Sequence, residues 1–479
     1  MWSIEVRRGA GSRALFARLA AAIAGDIQRG RLRAGDRLPS TRAVARQLGI
    51  NRNTAVAAYD ELAAQGWIVT AGPAGTRVAA ELPDRAPRRA GFARDHGVAR
   101  RPGYELAPVA SFHPPGVTPP GVRFLLSAGV PDPRLFPRVA LARAYRRALA
   151  APRSNAALDY AEPYGTPRLR EAIAALVRTT RAIPAAAENV MITRGSQLAL
   201  DLVARALVRP GAVAAVEELG YSPAWRALAT AGARLAATPL DGSGLVVDAL
   251  APRVRCVYLT SHHQYPTTVL LSQPRRAALL ARARRERFAI VEDDYDHEFH
   301  FDGRPVAPLA SADRDGSVIY IGTLSKILAP GLRLGFVIAP EPVIAALGAL
   351  RTAIDRQGDQ VLEHAVAELL EDGELMRHVR KARRIYAQRR AAFAAMLERE
   401  LGGALDFALP AGGVTLWARV AGDIDLPAWQ RRARGRGVVF ATAADLALDA
   451  KPRPFMRLAF ARYEPRELAE AVRVLRATL

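Results

Sequence analysis

Apolar residues recur at every fourth position in "SRALFARLAAAIAGDIQRG", where Leu15, Leu19, Ile23 and Ile27 share one face and Gly30 ends the pattern. That spacing predicts a helix. A turn-rich connector, "LRAGDRLPS", follows. Ser40 is placed to cap a short helix, "TRAVARQLG", that Gly49 ends, and Asn51 to cap a second, "NRNTAVAAYDELAAQG". Two short helices joined by a tight turn predict a helix-turn-helix. Next, "WIVTAGPAGTRVA" alternates Trp67 and Val69, then Thr76 and Val78, around a Gly-Pro-Ala-Gly tip, which predicts a β-hairpin wing. Residues 81–121 hold eight prolines and few periodic apolar positions, so an extended linker is expected. From residue 122 to 479, helical stretches alternate with β-branched runs such as "RCVYLT", "FAIVEDDY" and "SVIYIGT". That alternation predicts an α/β domain, a parallel sheet wrapped by helices. The expected organisation is therefore 1–80, 81–121 and 122–479.

Composition sharpens this only in places. The formal net charge is +22, which favours anionic partners and nucleic acid first. An arginine-rich proteome gives the same charge with no such meaning, so motifs must decide. Cys256 is the only cysteine, which excludes an internal disulfide and a cysteine-built metal site. No long uncharged apolar run appears, and Arg18 and Asp26 break the N-terminal apolar stretch, so neither a membrane span nor a signal peptide is expected. A cytoplasmic protein fits these readings. His262, His263, His297 and His300 have a spacing that fits no zinc pattern, and no metal site is expected.

The second helix of the helix-turn-helix opens with Asn51, Arg52, Asn53 and Thr54. Hydrogen-bonding side chains in that first turn suit base edges and phosphates, and the helix N-terminus adds free N–H groups. The stretch from "AGDRLPSTRAVARQLG" to "AGTRVA" resembles the winged helix of the GntR family of bacterial regulators. The resemblance implies contacts with double-stranded DNA from Arg42, Asn51, Arg52, Asn53 and Thr54, with Gly75 at the wing tip.

Sixty-five of the sixty-eight basic residues are arginine, yet Lys326 sits in "GTLSKILAPGLRLGF". Arginine stays protonated, whereas a desolvated lysine loses its proton and attacks carbonyls to give a Schiff base. Arg333 lies seven residues on, and an amine near a fixed cation suits pyridoxal phosphate, an aldehyde that carries a phosphate. Its ring nitrogen needs an acid, and Asp293 in "VEDDYDHEF" is the candidate, with Asp294 as rival. Tyr295 is placed to reach the ring oxygen. Gly195, Ser196 and Gln197 in "ITRGSQLAL" join a strand to a helix N-terminus and can cup the phosphate, with Thr323, Ser325 and Arg333 completing the cup.

With "DYAEPYGTPRLREAIA", "VEELGYSPAWRAL", "YLTSHHQYPTT" and "FMRLAFA", these pieces make residues 122–479 resemble a fold-type I aminotransferase-like, pyridoxal-phosphate-dependent domain. Joined to the winged helix, the chain is similar to the MocR-type (GabR-like) branch of GntR regulators. The resemblance implies that Tyr160 reaches the phosphate of a partner subunit, hence a head-to-tail homodimer. It also implies that Tyr221 lies near the ring, that Arg457 forks onto a substrate carboxylate, and that His263 or Gln264 meets the ring oxygen. One departure stands out: the family's Pro-Thr-Gly turn reads Pro266-Thr267-Thr268, so a reshaped turn is expected. The function implied is a DNA-binding regulator that senses an amino compound or pyridoxal phosphate, with at most partial aminotransferase activity. An active aminotransferase carrying a DNA-binding module is the alternative.

Overall fold

The computed structural model describes residues 14–70, 75–83, 103–106, 116–150, 157–303 and 305–479. The chain divides into two compact units, Met1–Ala110 and Ser111–Leu479. Most of the expected linker, and the wing-tip residues 71–74, lie outside the described residues.

In the first unit, the helix Leu15–Gln28 buries Leu19, Ile23 and Ile27 against Val44, Ala55, Ala58 and Leu62. The second helix, Thr41–Leu48, starts where Ser40 Oγ accepts from the Ala43 amide at 3.2 Å, and ends at Gly49 with φ +62°. Asn51 Oδ1 accepts from the Asn53 amide at 2.9 Å and opens the helix Arg52–Ala64. These caps satisfy orphaned amides that would otherwise need water. Tyr59 fastens the connector by donating its hydroxyl to the Pro39 carbonyl at 2.7 Å. Strands Ile68–Thr70 and Thr76–Val78 form the antiparallel wing. Ile68 pairs with Val78 and both are buried, whereas Val69 is 56 % exposed. Alternation specifies two faces, and the core chose the Ile68 face.

In the second unit a seven-stranded sheet runs in the spatial order Val190–Thr193, Gly335–Ile338, Val318–Thr323, Ala289–Asp294, Val254–Leu259, Val213–Glu217, Arg234–Thr238. Only Gly335–Ile338 is antiparallel to its neighbours. Helices cover both faces, so the strands are apolar almost throughout. Alternate residues serve opposite cores: Ile319 and Ile321 pack on one face, Val318 and Tyr320 on the other. A smaller antiparallel sheet, Leu405–Asp406, Thr415–Val420, Phe455–Ala459 and Ala441–Thr442, packs with the long helix Glu374–Leu401 and the final helix Pro465–Thr478. The short strand Phe124–Leu125 pairs in parallel with Val438–Val439 and ties the start of this unit to its C-terminal part.

Candidate cofactor site and DNA-reading helix

Ligands of parallel sheets bind beyond the carboxyl ends of the strands. Asp293 is the penultimate residue of its strand, and Lys326 follows the neighbouring strand by three residues. Both line one cavity, together with Ser196, Tyr221, Tyr295, Thr323, Ser325, Arg333 and Arg457.

Lys326 Nζ donates to the Gly129 carbonyl at 2.7 Å. Burial, reinforced by the neighbouring Arg457 cation, pushes its pKa down to about 8. Its amine is thus available near neutrality, which no arginine could match. Asp293 Oδ2 accepts from the Tyr258 hydroxyl at 2.8 Å, while the buried Oδ1 has no partner. Burial raises its pKa to about 7. A carboxylate with one orphaned, buried oxygen fits a protonated ring nitrogen, which would supply both a hydrogen bond and a compensating charge. Asp294 points the other way, because successive strand residues alternate faces. Its Oδ2 accepts from the Tyr320 hydroxyl at 2.8 Å and lies 3.0 Å from His297 Nδ1; despite burial, the His297 imidazole holds its pKa well below the carboxylate range.

The phosphate end is equally defined. Gly195 precedes the helix Ser196–Leu207 with φ +76° and no side-chain cap, and the first residue of that helix, Ser196, lines the cavity. Arg333 packs directly on it: a Cβ at Gly195 would lie 2.7 Å from the Arg333 guanidinium. Arg333, Ser196, Ser325 and Thr323 make a cationic, hydroxyl-lined cup. Opposite, Tyr221 meets Tyr265 edge-on at 5.5 Å, and the Arg457 guanidinium lies 4.4 Å over the Tyr265 ring. Arg457 is buried, donates to the Ser127 carbonyl at 2.6 Å, and keeps Nε unpartnered. This residue set fits pyridoxal phosphate at both ends and at the ring nitrogen.

Not every expected residue reaches the cavity. His263 and Gln264 do not line it: His263 Nδ1 is bonded to Asp296 at 2.8 Å, and Gln264 Nε2 donates to the carbonyl of Leu219 at 2.8 Å. Tyr265, the next residue, lines it instead. Gln197 donates to the Pro223 carbonyl at 3.3 Å and is not in the lining. Tyr160 is 74 % exposed, with the Arg356 guanidinium 4.0 Å over its ring, and stands outside the cavity of its own chain. Gly116, from the stretch expected to be linker, does line the cavity. Sequence reading missed Tyr258 and Tyr265. Tyr265 is the single aromatic of "SHHQYPTT", and Tyr258 shares the face of Asp293 on the adjacent strand. Thr268 adopts φ +65°, the glycine-favouring region, with its amide donating to the Gln264 carbonyl at 2.7 Å.

In the first unit Arg42, Asn51, Arg52 and Asn53 are exposed and Thr54 half-buried, all at the N-terminal ends of the two short helices. Gly75 opens the second wing strand with φ +86°.

Residues 124–475 match the family "Aminotransferase class I and II", and residues 15–78 match "Bacterial regulatory proteins, gntR family". The chain is 33 % identical over 461 residues to a probable rhizopine catabolism regulatory protein, MocR, of Rhizobium meliloti, covering 94 % of this chain and 91 % of that protein. It is 33 % identical over 481 residues to the HTH-type transcriptional regulator TauR of Rhodobacter capsulatus, covering 98 % and 97 %. Among solved structures, the multiple substrate aminotransferase of Thermococcus profundus superposes with a TM-score of 0.70 at 31 % identity, over 75 % of this chain and 91 % of that one. A recognition helix with a polar first turn and a lysine-centred cofactor cup, carried on one polypeptide matched along nearly its whole length by such regulators, make this chain a member of the MocR-type branch of the GntR family: a pyridoxal-phosphate-dependent, DNA-binding transcriptional regulator.

Proposed function

We propose that the aminotransferase-like unit is a sensor for a small amino compound, or for pyridoxal phosphate itself, and that its occupancy governs operator binding by the winged helix. The observation that carries this is Lys326, half-buried, with its pKa lowered, and lining one cavity with Asp293 and Arg457. When bound, pyridoxal phosphate supplies an aldehyde that captures primary amines and a ring that withdraws electrons. Lys326 Nζ is the resident amine for that aldehyde. Asp293 Oδ1 holds the proton at the ring nitrogen, and Tyr295 serves the ring oxygen. Arg333, Ser196, Ser325 and Thr323, with the backbone of Gly195 and Gln197, grip the phosphate. Tyr221 flanks the ring. An incoming amine that also carries a carboxylate engages Arg457, whose planar fork suits two oxygens. Such a ligand would compete with Lys326 for the cofactor, and coupling to DNA would be the difference in ligand affinity between two states of the protein.

Arg42, Asn51, Arg52, Asn53, Thr54 and Gly75 are the proposed DNA contacts. The exposed Tyr160 supports a head-to-tail homodimer in which each subunit serves the other's phosphate. Residues 81–121 act as the connector. A cytoplasmic site of action agrees with the fact that no helix among the described residues is long and apolar enough to cross a membrane. Aminotransferase turnover is at most partial in this reading.

Fluorescence anisotropy with DNA from upstream of the protein's own gene tests the proposal, with and without pyridoxal phosphate and candidate amines. Sequence-selective binding that shifts with ligand is expected; binding equal for random DNA and blind to every ligand refutes it. Lys326→Ala should abolish the borohydride-trapped cofactor adduct in protein that remains folded. An adduct persisting in that variant removes Lys326 from its role.

A further inference from the structure

Beyond the carboxyl ends of the strands Val254–Leu259 and Ala289–Asp294, four histidines crowd together. The rings of His262 and His263 are 4.2 Å apart, those of His262 and His297 4.8 Å, those of His262 and His300 5.6 Å, and those of His263 and His300 5.8 Å. All four are 1–4 % exposed. Packing alone does not explain them. Neither ring nitrogen of His262 has a hydrogen-bond partner, nor does Nε2 of His263, nor Nδ1 of His300. Buried nitrogens without partners destabilise a fold unless something fills them.

The arrangement around each ring is specific. His263 Nδ1 is bonded to the buried Asp296 at 2.8 Å, which fixes the ring and leaves Nε2 free to ligate. A carboxylate behind a ligating imidazole is the usual outer partner of a metal-bound histidine. Room at that nitrogen is kept by glycine: a Cβ at Gly412 would lie 2.4 Å from His263 Nε2. His297 is already engaged by Asp294 at 3.0 Å and stands beside the group rather than in it. The two buried carboxylates, Asp294 and Asp296, make the neighbourhood favourable to a cation.

The geometry points to a buried site for one divalent transition-metal ion, of the imidazole-preferring zinc and cobalt kind, ligated by His262, His263 and His300. One ligand nitrogen from each lies within 4.8 Å of the others. Tetrahedral nitrogens about 2.05 Å from zinc are roughly 3.4 Å apart, so the ligand atoms would close by up to about 1.4 Å on binding. The ligands come from two loops that follow adjacent strands, one after Val254–Leu259 and one after Ala289–Asp294. The ion would also brace the cofactor cavity, because the His263 carbonyl accepts the Tyr295 hydroxyl at 3.0 Å.

The test uses untagged, full-length protein loaded with pyridoxal phosphate, stripped with chelator and titrated with Co²⁺, then with Zn²⁺ in competition. One Co²⁺ per chain with tetrahedral visible bands is expected. His262→Ala and His300→Gln should each weaken it at least ~100-fold, and His364→Ala, outside the cluster, should not. Absence of stoichiometric Co²⁺ binding overturns the site, as does equal binding by all four proteins. Zn²⁺ X-ray absorption on the unaltered protein decides independently of whether the variants fold: a first shell of three imidazole nitrogens supports the site, and a shell without imidazole refutes it.

Discussion

Replacing Asp293 with Asn tests the reading of the cofactor site without any cofactor present. Asn keeps the shape and can still pair with the Tyr258 hydroxyl, but it removes a buried carboxylate whose pKa is raised from 3.8 to about 7, chiefly by burial. A carboxyl raised in the folded state favours the fold while it is protonated. As pH climbs through the unfolded value the denatured chain ionises first, and folding loses free energy until pH passes the folded value. Over that window the loss is about 1.4 kcal/mol per pH unit, on the order of 4 kcal/mol in total. Glu217, raised by burial to about 8, adds its own dependence but is common to both proteins. Urea unfolding of cofactor-free wild type and Asp293→Asn, run from pH 4 to 8, isolates the difference. The variant should match wild type near pH 4 and exceed it by a few kcal/mol at pH 8. Pyridoxal phosphate should stabilise wild type more than the variant. Parallel curves across the whole range would refute the claim that this carboxylate is held in reserve for a cationic ring nitrogen.

Gly195→Ala places a Cβ 2.7 Å from the Arg333 guanidinium at φ +76°; thermal and urea unfolding should show a loss of about 1–3 kcal/mol, and the cofactor dissociation constant should rise as Arg333 is displaced. Thr268→Gly relieves a β-branched residue at φ +65°; unfolding should show no loss, and a gain of up to ~1 kcal/mol, because relief of the left-handed strain slightly exceeds the added chain entropy. Arg52→Ala should weaken operator binding and lower the slope of log affinity against log salt by about 1; an unchanged slope removes Arg52 from the DNA interface.

Much of the winged helix was legible because its signals are local. Ser40, Gly49 and Asn51 mark their helix ends by residue type, and each cap is closed within three residues. The wing face was not, since Trp67-Val69 and Ile68 are equally consistent alternations and only the buried cluster chooses between them. The same limit left Asp293 and Asp294 as rivals. Period two says that they face apart, but not which face bears the cavity; Tyr258 and Tyr320 on the flanking strands resolve it. Between His263 and Gln264 the sequence offered no choice, and in the structure it is the next residue, Tyr265, that lines the cavity. The histidine cluster left no trace in spacing, because its members meet only through strand adjacency.

The carbonyl that receives Lys326 belongs to Gly129, a few residues beyond the strand Phe124–Leu125 and on the same stretch of backbone that begins at Gly116. The N-terminal segment of the aminotransferase-like unit is thus moored to Lys326 before it enters the main body of that unit. Any substitution at Lys326 therefore cuts that mooring as well as removing the amine.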